Sequence, residues 1–262
     1  MKQFKAIRIW EVLYPIGIYY AAQFIGVYIL AILFPILNQQ VLLQQLVATL
    51  CALPLLYWTF YKPDLLLKIK VQKRPTWKRN LFLLVMTLLC AVSFSIALNN
   101  FLGLLQISRY SASYGEVQEA FSSGSLPLQL VTLCLVVPIT EEFLFREIIF
   151  GRCKRFLKRR NAILLSALLF GIIHVNIVQL VYATIFGILL AILYDLAGGF
   201  KAAALAHMAA NLTSILRSET ELFVFLKGGM FVQAIWAILF FMIFAVILYF
   251  IRKYGMQQEE SI

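Results

Sequence analysis

The chain has 262 residues, of which 62% are hydrophobic, 15% are aromatic and 13% are charged. Soluble domains are about 45–50% apolar and about 25% charged, so this composition excludes an ordinary soluble enzyme or binding domain. A formal net charge of +11 would suggest a nucleic-acid partner in a soluble protein, but here the basic residues flank long apolar runs.

Eight apolar runs are long enough to be transmembrane helices, because about 20 helical residues cross the roughly 30 Å hydrocarbon layer. Lipid offers the backbone no hydrogen-bond partners, so only helices or a closed barrel can span it, and the lack of strict alternation favours helices. The predicted spans are 12–35, 41–61, 80–101, 127–150, 161–178, 180–197, 200–216 and 230–251. We therefore predict an all-α, polytopic transmembrane helix bundle.

The basic residues alternate between the two sides of the predicted bundle. The N-terminal segment and every second connection, including the C-terminal one, hold 19 of the 23 Lys and Arg residues. The opposite connections hold only Arg109, Arg217 and Lys227, and Arg146 lies within a span. The positive-inside rule then predicts that both termini lie in the cytoplasm. We expect the basic clusters to bind anionic lipid headgroups, and we expect no nucleic-acid partner.

The four cysteines form no disulfide or metal-binding pattern. Cys51, Cys90 and Cys134 fall in separate predicted spans, Cys153 follows the fourth span, and the chain contains no CxxC pair. Packing is the expected role of all four.

No repeat or long linker divides the chain, so we expect one membrane domain. Its parts are accessory helices with an external loop (1–126), a core (127–216), and a last helix with a cytoplasmic tail (217–262).

Two adjacent carboxylates, Glu141 and Glu142, lie inside the apolar fourth span. Ionisable residues at that depth are costly and usually face a bundle interior or a water-filled cavity. Glu142 and Arg146 are four residues apart and can pair on one helical face. Glu141 points about 100° away, and a carboxylate in an apolar cavity is a stronger base than in water. Either Glu141 is a general base, or both glutamates pair structurally with Arg146.

The only two histidines of the chain, His174 and His207, fall in the predicted fifth and seventh spans. His174 lies four residues after Phe170, and Asn211 lies four residues after His207, so each pair is expected to share a helical face. A lone buried histidine is more often a hydrogen-bonded structural residue. Two histidines in apolar spans, each with a patterned neighbour, instead favour a functional site.

These three patterns on separate predicted helices resemble the motifs of the CAAX protease and bacteriocin-processing family, also called the Abi family. The resemblance covers about residues 127–216. In chain order the motifs are Glu141-Glu142-x-x-x-Arg146, Phe170-x-x-x-His174 and His207-x-x-x-Asn211. The resemblance implies an intramembrane endopeptidase with a four-helix catalytic core, in the plasma membrane of a bacterium.

The resemblance also implies a role for each motif residue. Glu141 would activate a water molecule, and His174 would help to hold that water. His207 and Asn211 would stabilise the oxyanion of the tetrahedral intermediate. The remaining motif residues, Glu142 and Arg146, would set the local structure and the charge around Glu141.

A metal ion is an alternative, because the family is often described as metalloproteases. Glu141, His174 and His207 would then supply three zinc ligands, with water as the fourth. The chain contains no His-Glu-x-x-His pair on one helix, and the resemblance favours glutamate-driven hydrolysis without an obligatory metal. Zinc remains the alternative cofactor.

The resemblance implies a small membrane-associated substrate: a CAAX-type protein, a bacteriocin leader or a signalling peptide. Two other classes of function stay open. One is a non-catalytic bacteriocin self-immunity or regulatory protein of the same fold. The other is a transporter with a proton relay, although the sequence shows neither the internal symmetry nor the matched discontinuous helices expected of one. The sequence does not indicate an oligomeric state.

Overall fold

The structure is a computed structural model that describes residues 2–67, 77–174, 176–197, 199–226 and 228–256. Helices dominate these residues, and no β-strand occurs among them. The prediction of an all-α, polytopic helix bundle is therefore confirmed. Part of the predicted basic connection (68–76) and most of the predicted cytoplasmic tail (257–262) lie outside the described residues.

The helices are labelled here in chain order. The first four are α1 (Lys2–Leu33), α2 (Val41–Leu56, a π-helical turn Tyr57–Tyr61 and Lys62–Leu67), α3 (Trp77–Leu104) and α4 (Ala112–Ser122). Helix α5 is continuous and consists of Leu126–Gln129, Leu130–Val136, Val137–Glu142, Phe143–Phe150 and Gly151–Cys153. The last four are α6 (Arg159–Ile172), α7 (Ile177–Ala197), α8 (Phe200–Glu219) and α9 (Met230–Met256).

Within the described residues, six helices are long and apolar enough to cross a membrane. They are Ile9–Leu33, Val41–Asp64, Leu81–Leu104, Leu126–Cys153, Ile177–Ala197 and Met230–Gly255. The chain is therefore an integral membrane protein with several apolar helices, in agreement with six of the eight predicted spans.

The other two predicted spans, 161–178 and 200–216, are not among these six helices. Helix α6 has only 14 residues, which is about 21 Å at 1.5 Å per residue and too short for the hydrocarbon layer. Helix α8 has 20 residues, but its polar side chains, Lys201 and Arg217 among them, lower its hydropathy. Eight crossings and two cytoplasmic termini thus stay predictions.

The chain forms two compact units. Unit 1 comprises Met1–Val71 and Ala120–Ser166 and contains α1, α2 and α5. Helix α1 packs along α2, and the helices approach so closely that a Cβ atom on Gly26 would lie 3.0 Å from Cys51 Sγ. Small residues permit such approaches between membrane helices, where van der Waals packing drives association.

One buried arginine joins the three helices of unit 1. Arg152, near the end of α5, donates from Nε to Asp64 Oδ2 of α2 at 3.0 Å and from Nη1 to the Glu11 carbonyl of α1 at 2.8 Å. Its guanidinium also lies over the rings of Tyr14 and Phe60, 5.4 and 5.1 Å from their centroids. Arg152 therefore holds one end of α5 against α1 and α2.

Unit 2 comprises Gln72–Glu119 and Ala167–Ile262, and contains α3, α7, α8 and α9. Helix α3 packs mainly along α9 and α8. Two polar links join α3 to its neighbours. Ser95 Oγ and the Tyr182 hydroxyl are 3.0 Å apart, and Arg217 Nη2 donates to Asn100 Oδ1 at 3.1 Å. The predicted three-part division of the chain stays a prediction.

The cysteines form no disulfide. Cys90, Cys134 and Cys153 are buried, as their predicted packing role requires, whereas Cys51 is exposed on α2. Three thiols are therefore shielded in the folded protein and one is not.

Candidate functional site

The two adjacent glutamates lie in the middle of α5, where the helix changes its geometry twice. The α-helical segment Val137–Glu142 lies between the π-helical segments Leu130–Val136 and Phe143–Phe150. Pro138 has no N–H to donate to the preceding turn, so one backbone hydrogen bond of the helix is missing at this point. π-Helical segments are rare and occur often at functional sites. Motif residues 141–146 thus lie on an unusual stretch of backbone.

Glu142 and Arg146 form the ion pair that their spacing predicts. Arg146 Nε lies 3.0 Å from Glu142 Oε2, and both side chains are completely buried. Each charge loses its hydration in this position, so the pair is stable only while both partners are present. Arg146 also interacts electrostatically with Glu141. One buried cation therefore balances two neighbouring carboxylates.

Glu141 is 8% exposed and has neighbours that the sequence did not indicate. Tyr19 and Tyr20 of α1 both interact electrostatically with its carboxylate. The sequence predicts α1 to be one of the accessory helices in 1–126. The position of the two tyrosines is a sequence signal for a role of α1 in the site. Tyrosines in membrane helices concentrate near the two interfaces, whereas this pair lies near the middle of the span Ile9–Leu33.

The prediction that His174 lies within a transmembrane helix is wrong. Helix α6 ends at Ile172, and His174 lies in the connection to α7. The connection is held by Asn176, whose Oδ1 accepts from the Gln179 N–H at 2.9 Å while its Nδ2 donates to Gln179 Oε1 at 2.6 Å. This is an N-terminal cap of α7. The predicted span 161–178 therefore contains the end of α6, the connection with His174 and the first residues of α7.

His174 nevertheless keeps its predicted relation to Phe170. Its Nδ1 lies 2.8 Å from the Phe170 carbonyl oxygen, and the two rings are 5.0 Å apart at 84°. A carbonyl oxygen only accepts, so Nδ1 carries the hydrogen in this contact. In the neutral ring, Nε2 then carries a lone pair that can accept a hydrogen bond from water.

His207 lies on α8 and is 5% exposed. The edge-to-face contact of its ring with Phe170 has a centroid distance of 5.7 Å and an angle of 87°. Phe170 therefore contacts both histidines. Asn211 follows His207 by four residues in the same continuous α-helix, so the two residues share a face as predicted.

Glycines bring the elements around Phe170 into close contact. A Cβ atom on Gly187 would lie 3.1 Å from Phe170 Cδ1, and one on Gly171 would lie 2.7 Å from the Leu180 carbonyl oxygen. Helix α7 can therefore approach α6 only because these two positions lack side chains.

The motif residues fall into two groups. In unit 1, the structure brings Glu142 and Arg146 together, with Glu141 beside Tyr19 and Tyr20. In unit 2, it brings His174 and His207 together around Phe170, with Asn211 on the same helix as His207. The catalytic roles of these residues stay predictions.

The part of the chain that the structure describes contains no cluster of side chains that could bind zinc. No three His, Cys, Asp or Glu side chains in that part are grouped so that they could hold a metal ion. The predicted ligand set of Glu141, His174 and His207 is thus not supported by a metal-binding arrangement among these residues.

Two comparisons with known proteins identify the segment that carries the motifs. Residues 123–213 match the family described as type II CAAX prenyl endopeptidase Rce1-like. A stretch of 87 residues is 33% identical to a Bacillus subtilis (strain 168) protein named "Putative membrane peptidase YdiL". That stretch covers 33% of this chain and 36% of the relative, about a third of each. No solved structure matches the chain significantly. The predicted resemblance to the CAAX protease and bacteriocin-processing family is therefore confirmed over residues 123–213, the segment that is similar to the Rce1-like CAAX prenyl endopeptidases.

Proposed function

We propose that this protein is an intramembrane endopeptidase that hydrolyses a peptide bond in a small membrane-associated protein or peptide. The observation that carries the proposal is a nearly buried carboxylate, Glu141, beside a buried Glu142–Arg146 ion pair in a membrane helix. That helix lies within the segment that matches a CAAX endopeptidase family. Ionisable groups at such a position are costly and are kept for function.

The proposed reaction begins with a water molecule. The Glu141 carboxylate takes a proton from the water, whose oxygen then attacks the carbonyl carbon of the scissile peptide bond. His174, with its Nδ1–H donated to a carbonyl, uses the Nε2 lone pair to orient this water. Glu141 finally transfers the proton to the departing nitrogen as the C–N bond breaks.

The other motif residues stabilise charge in this scheme. His207 and Asn211 donate hydrogen bonds to the oxyanion that forms on the former carbonyl oxygen. Removing one donor of this kind costs about 100- to 1000-fold in rate. The Glu142–Arg146 pair keeps a cation beside Glu141. Helix α1 adds Tyr19 and Tyr20 to the surroundings of the carboxylate.

We further propose that the substrate is a CAAX-type protein, a bacteriocin leader or a signalling peptide. The match to a CAAX endopeptidase family supports the first of these. The bacterial relative supports the plasma membrane of a bacterium as the location. The alternation of basic residues along the sequence supports cytoplasmic termini and contacts with anionic lipid headgroups.

The test is peptide cleavage by detergent-purified protein. A library of membrane-associated peptides, including prenylated C-terminal peptides and leader peptides, is incubated with wild type, Glu141→Gln and His207→Ala, with and without a chelator. Glu147→Gln is the matched control, because Glu147 is a carboxylate of the same helix α5 that lies outside the motif. We expect the wild type and the control to cleave, and both motif variants to lose at least about 100-fold in rate.

The outcomes separate the alternatives. Inhibition by the chelator that zinc reverses would replace the metal-free scheme by a zinc enzyme. Undiminished cleavage by Glu141→Gln would refute the role of Glu141. A cellular function that survives Glu141→Gln, with no cleavage by folded wild type, would instead support a non-catalytic self-immunity or regulatory protein.

A further inference from the structure

A continuous series of aromatic rings runs through unit 2 and includes the two histidines. We call this series the aromatic column; its members are Phe244, Phe94, Phe186, His207, Phe170 and His174. Successive ring centroids lie 4.5, 6.1, 6.1, 5.7 and 5.0 Å apart. The column thus links α9 and α3 through α7 to the two imidazoles.

The two rings that bracket His207 are almost completely buried. Phe170 and Phe186 are each 2% exposed, and they contact the imidazole at 87° and 61°. Offset and edge-to-face contacts of this kind are worth about 0.5–1.5 kcal/mol beyond the buried area. The rings therefore leave the imidazole of His207 little freedom to turn.

Restriction of this torsion matters for catalysis. The outer torsion of a histidine side chain is broad, so the backbone alone does not fix the direction of the ring N–H. A donor to an oxyanion must be held within about 10–20° of its productive direction. The rings on both sides of His207 contribute to that restraint.

Phe186 is in turn held by other rings. Tyr182 stacks on it at 5.8 Å and 17°, and Phe94 of α3 stacks at 6.1 Å and 20°. Phe94 contacts Phe244 of α9 at 4.5 Å. Neither α3 nor α9 belongs to the segment that matches the peptidase family.

We propose that Phe186 and Phe94 are positioning residues for His207, through which the accessory helices α3 and α9 set the direction of its imidazole. This inference rests on the proposed function. Neither phenylalanine belongs to one of the three motifs. An ordinary packing role predicts that a large aliphatic residue can replace either ring without affecting the chemical step.

Histidine NMR provides a readout that is independent of activity. Because the chain has only two histidines, selective ¹³C,¹⁵N-histidine labelling gives two imidazole signals, which His174→Gln and His207→Gln assign. Phe186→Leu is expected to shift the His207 signal and to leave the His174 signal in place. Phe94→Leu, one ring further away, is expected to shift the same signal less.

Kinetics on the same samples test the consequence. A misdirected donor reduces the stabilisation of the transition state more than it reduces substrate binding. Phe186→Leu should therefore lower kcat about 10- to 100-fold with KM little changed. Phe60→Leu is the matched control, since Phe60 is a completely buried ring of unit 1 outside the column. This control should lose stability but keep its kcat. If Phe186→Leu does not fold, Phe94→Leu provides the same comparison.

The positioning role would be overturned if the wild type cleaves while the folded leucine variants keep an unchanged His207 signal and an unchanged kcat. The proposed function would survive that result. Equal losses of kcat in the Phe60→Leu control would also overturn it. Folded wild type that cleaves no peptide would overturn the proposed function, and with it the catalytic purpose of the column. A shifted His207 signal with a selective fall in kcat supports the proposal.

Discussion

Gly171→Ala tests the close approach of α6 and α7 beside the histidines. The added Cβ atom would overlap Thr184 Oγ1 and would lie 2.7 Å from the Leu180 carbonyl oxygen, whereas ordinary van der Waals contacts are 3.4–4 Å. The threonine side chain can rotate, but the carbonyl belongs to the backbone of α7. The substitution must therefore move one helix away from the other.

The structure sets the expected size of this effect. Overpacking of a tight core costs about 1–3 kcal/mol, and each kcal/mol corresponds to about 2–4 °C in the unfolding midpoint of a chain of this size. Phe170, which contacts both histidines, is the neighbouring residue. A displacement of about 1 Å at a catalytic group can cost about 100-fold in rate. We expect Gly171→Ala to lower the midpoint temperature of unfolding by several degrees and to remove most of the cleavage activity.

Thermal unfolding in detergent can be followed with a thiol-reactive dye. Cys90, Cys134 and Cys153 are buried and become accessible to the dye when the protein unfolds, whereas Cys51 is already exposed in the folded protein. Gly17→Ala is the matched control, because a Cβ atom there would meet nothing within 4 Å. This control should be neutral or more stable by about 0.4–1 kcal/mol.

A second substitution identifies the source of the strain. Thr184→Ala in the Gly171→Ala background removes the overlap with the hydroxyl but leaves the contact with the Leu180 carbonyl. We expect it to restore only part of the midpoint and of the activity. The reasoning is refuted if Gly171→Ala matches the Gly17→Ala control in both midpoint and cleavage rate.

Three further predictions concern stability and use the same thermal assay. Arg146→Met leaves the completely buried Glu142 without its ion-pair partner and should cost about 3–5 kcal/mol, whereas the double variant Glu142→Gln/Arg146→Met should recover much of that loss. Arg152→Ala removes the side chain that bonds to Asp64 and to the α1 backbone. Because Asp64 keeps its ion pair with Arg155, the loss should be smaller, about 1.5–3 kcal/mol. Asn176→Ala removes the N-terminal cap of α7 and should cost about 0.5–2 kcal/mol, while Asn176→Asp should keep most of the stability.

Each of these predictions has a contradicting result. A double variant no more stable than Arg146→Met would show that the cost does not arise from an unpaired buried charge. Arg152→Lys that is as stable as wild type would contradict a role for the planar, multiply bonded guanidinium. An Asn176→Asp variant as unstable as Asn176→Ala would show that the side-chain cap contributes nothing.

The sequence by itself determined the membrane class, six of the spans and the Glu142–Arg146 pair. Hydropathy is a local property that adds up along a run of residues, so the apolar helices are visible without any tertiary information. The ion pair is also local, because residues four apart on a helix are neighbours whatever else surrounds them. The three motifs likewise identified the family segment, which the comparison then confirmed.

Only the tertiary structure decided how the histidine half of the site is arranged. Hydropathy predicts a fifth span through His174, but α6 ends at Ile172 and the Asn176 side chain caps α7, which begins at Ile177. Periodicity likewise assumed 3.6 residues per turn through α5, which contains two π-helical segments. In both places, hydrogen bonds between specific backbone and side-chain groups override the average pattern.

Contacts between distant residues were beyond the reach of the sequence for a simpler reason. Arg152 and Asp64 are 88 residues apart, and Phe94 lies on a helix outside the matched segment, yet it stacks on the ring that contacts His207. No local period relates such residues, because they meet only when their helices pack. Composition and spacing therefore determined which residues carry charge inside the membrane, and helix packing decided what surrounds and orients them.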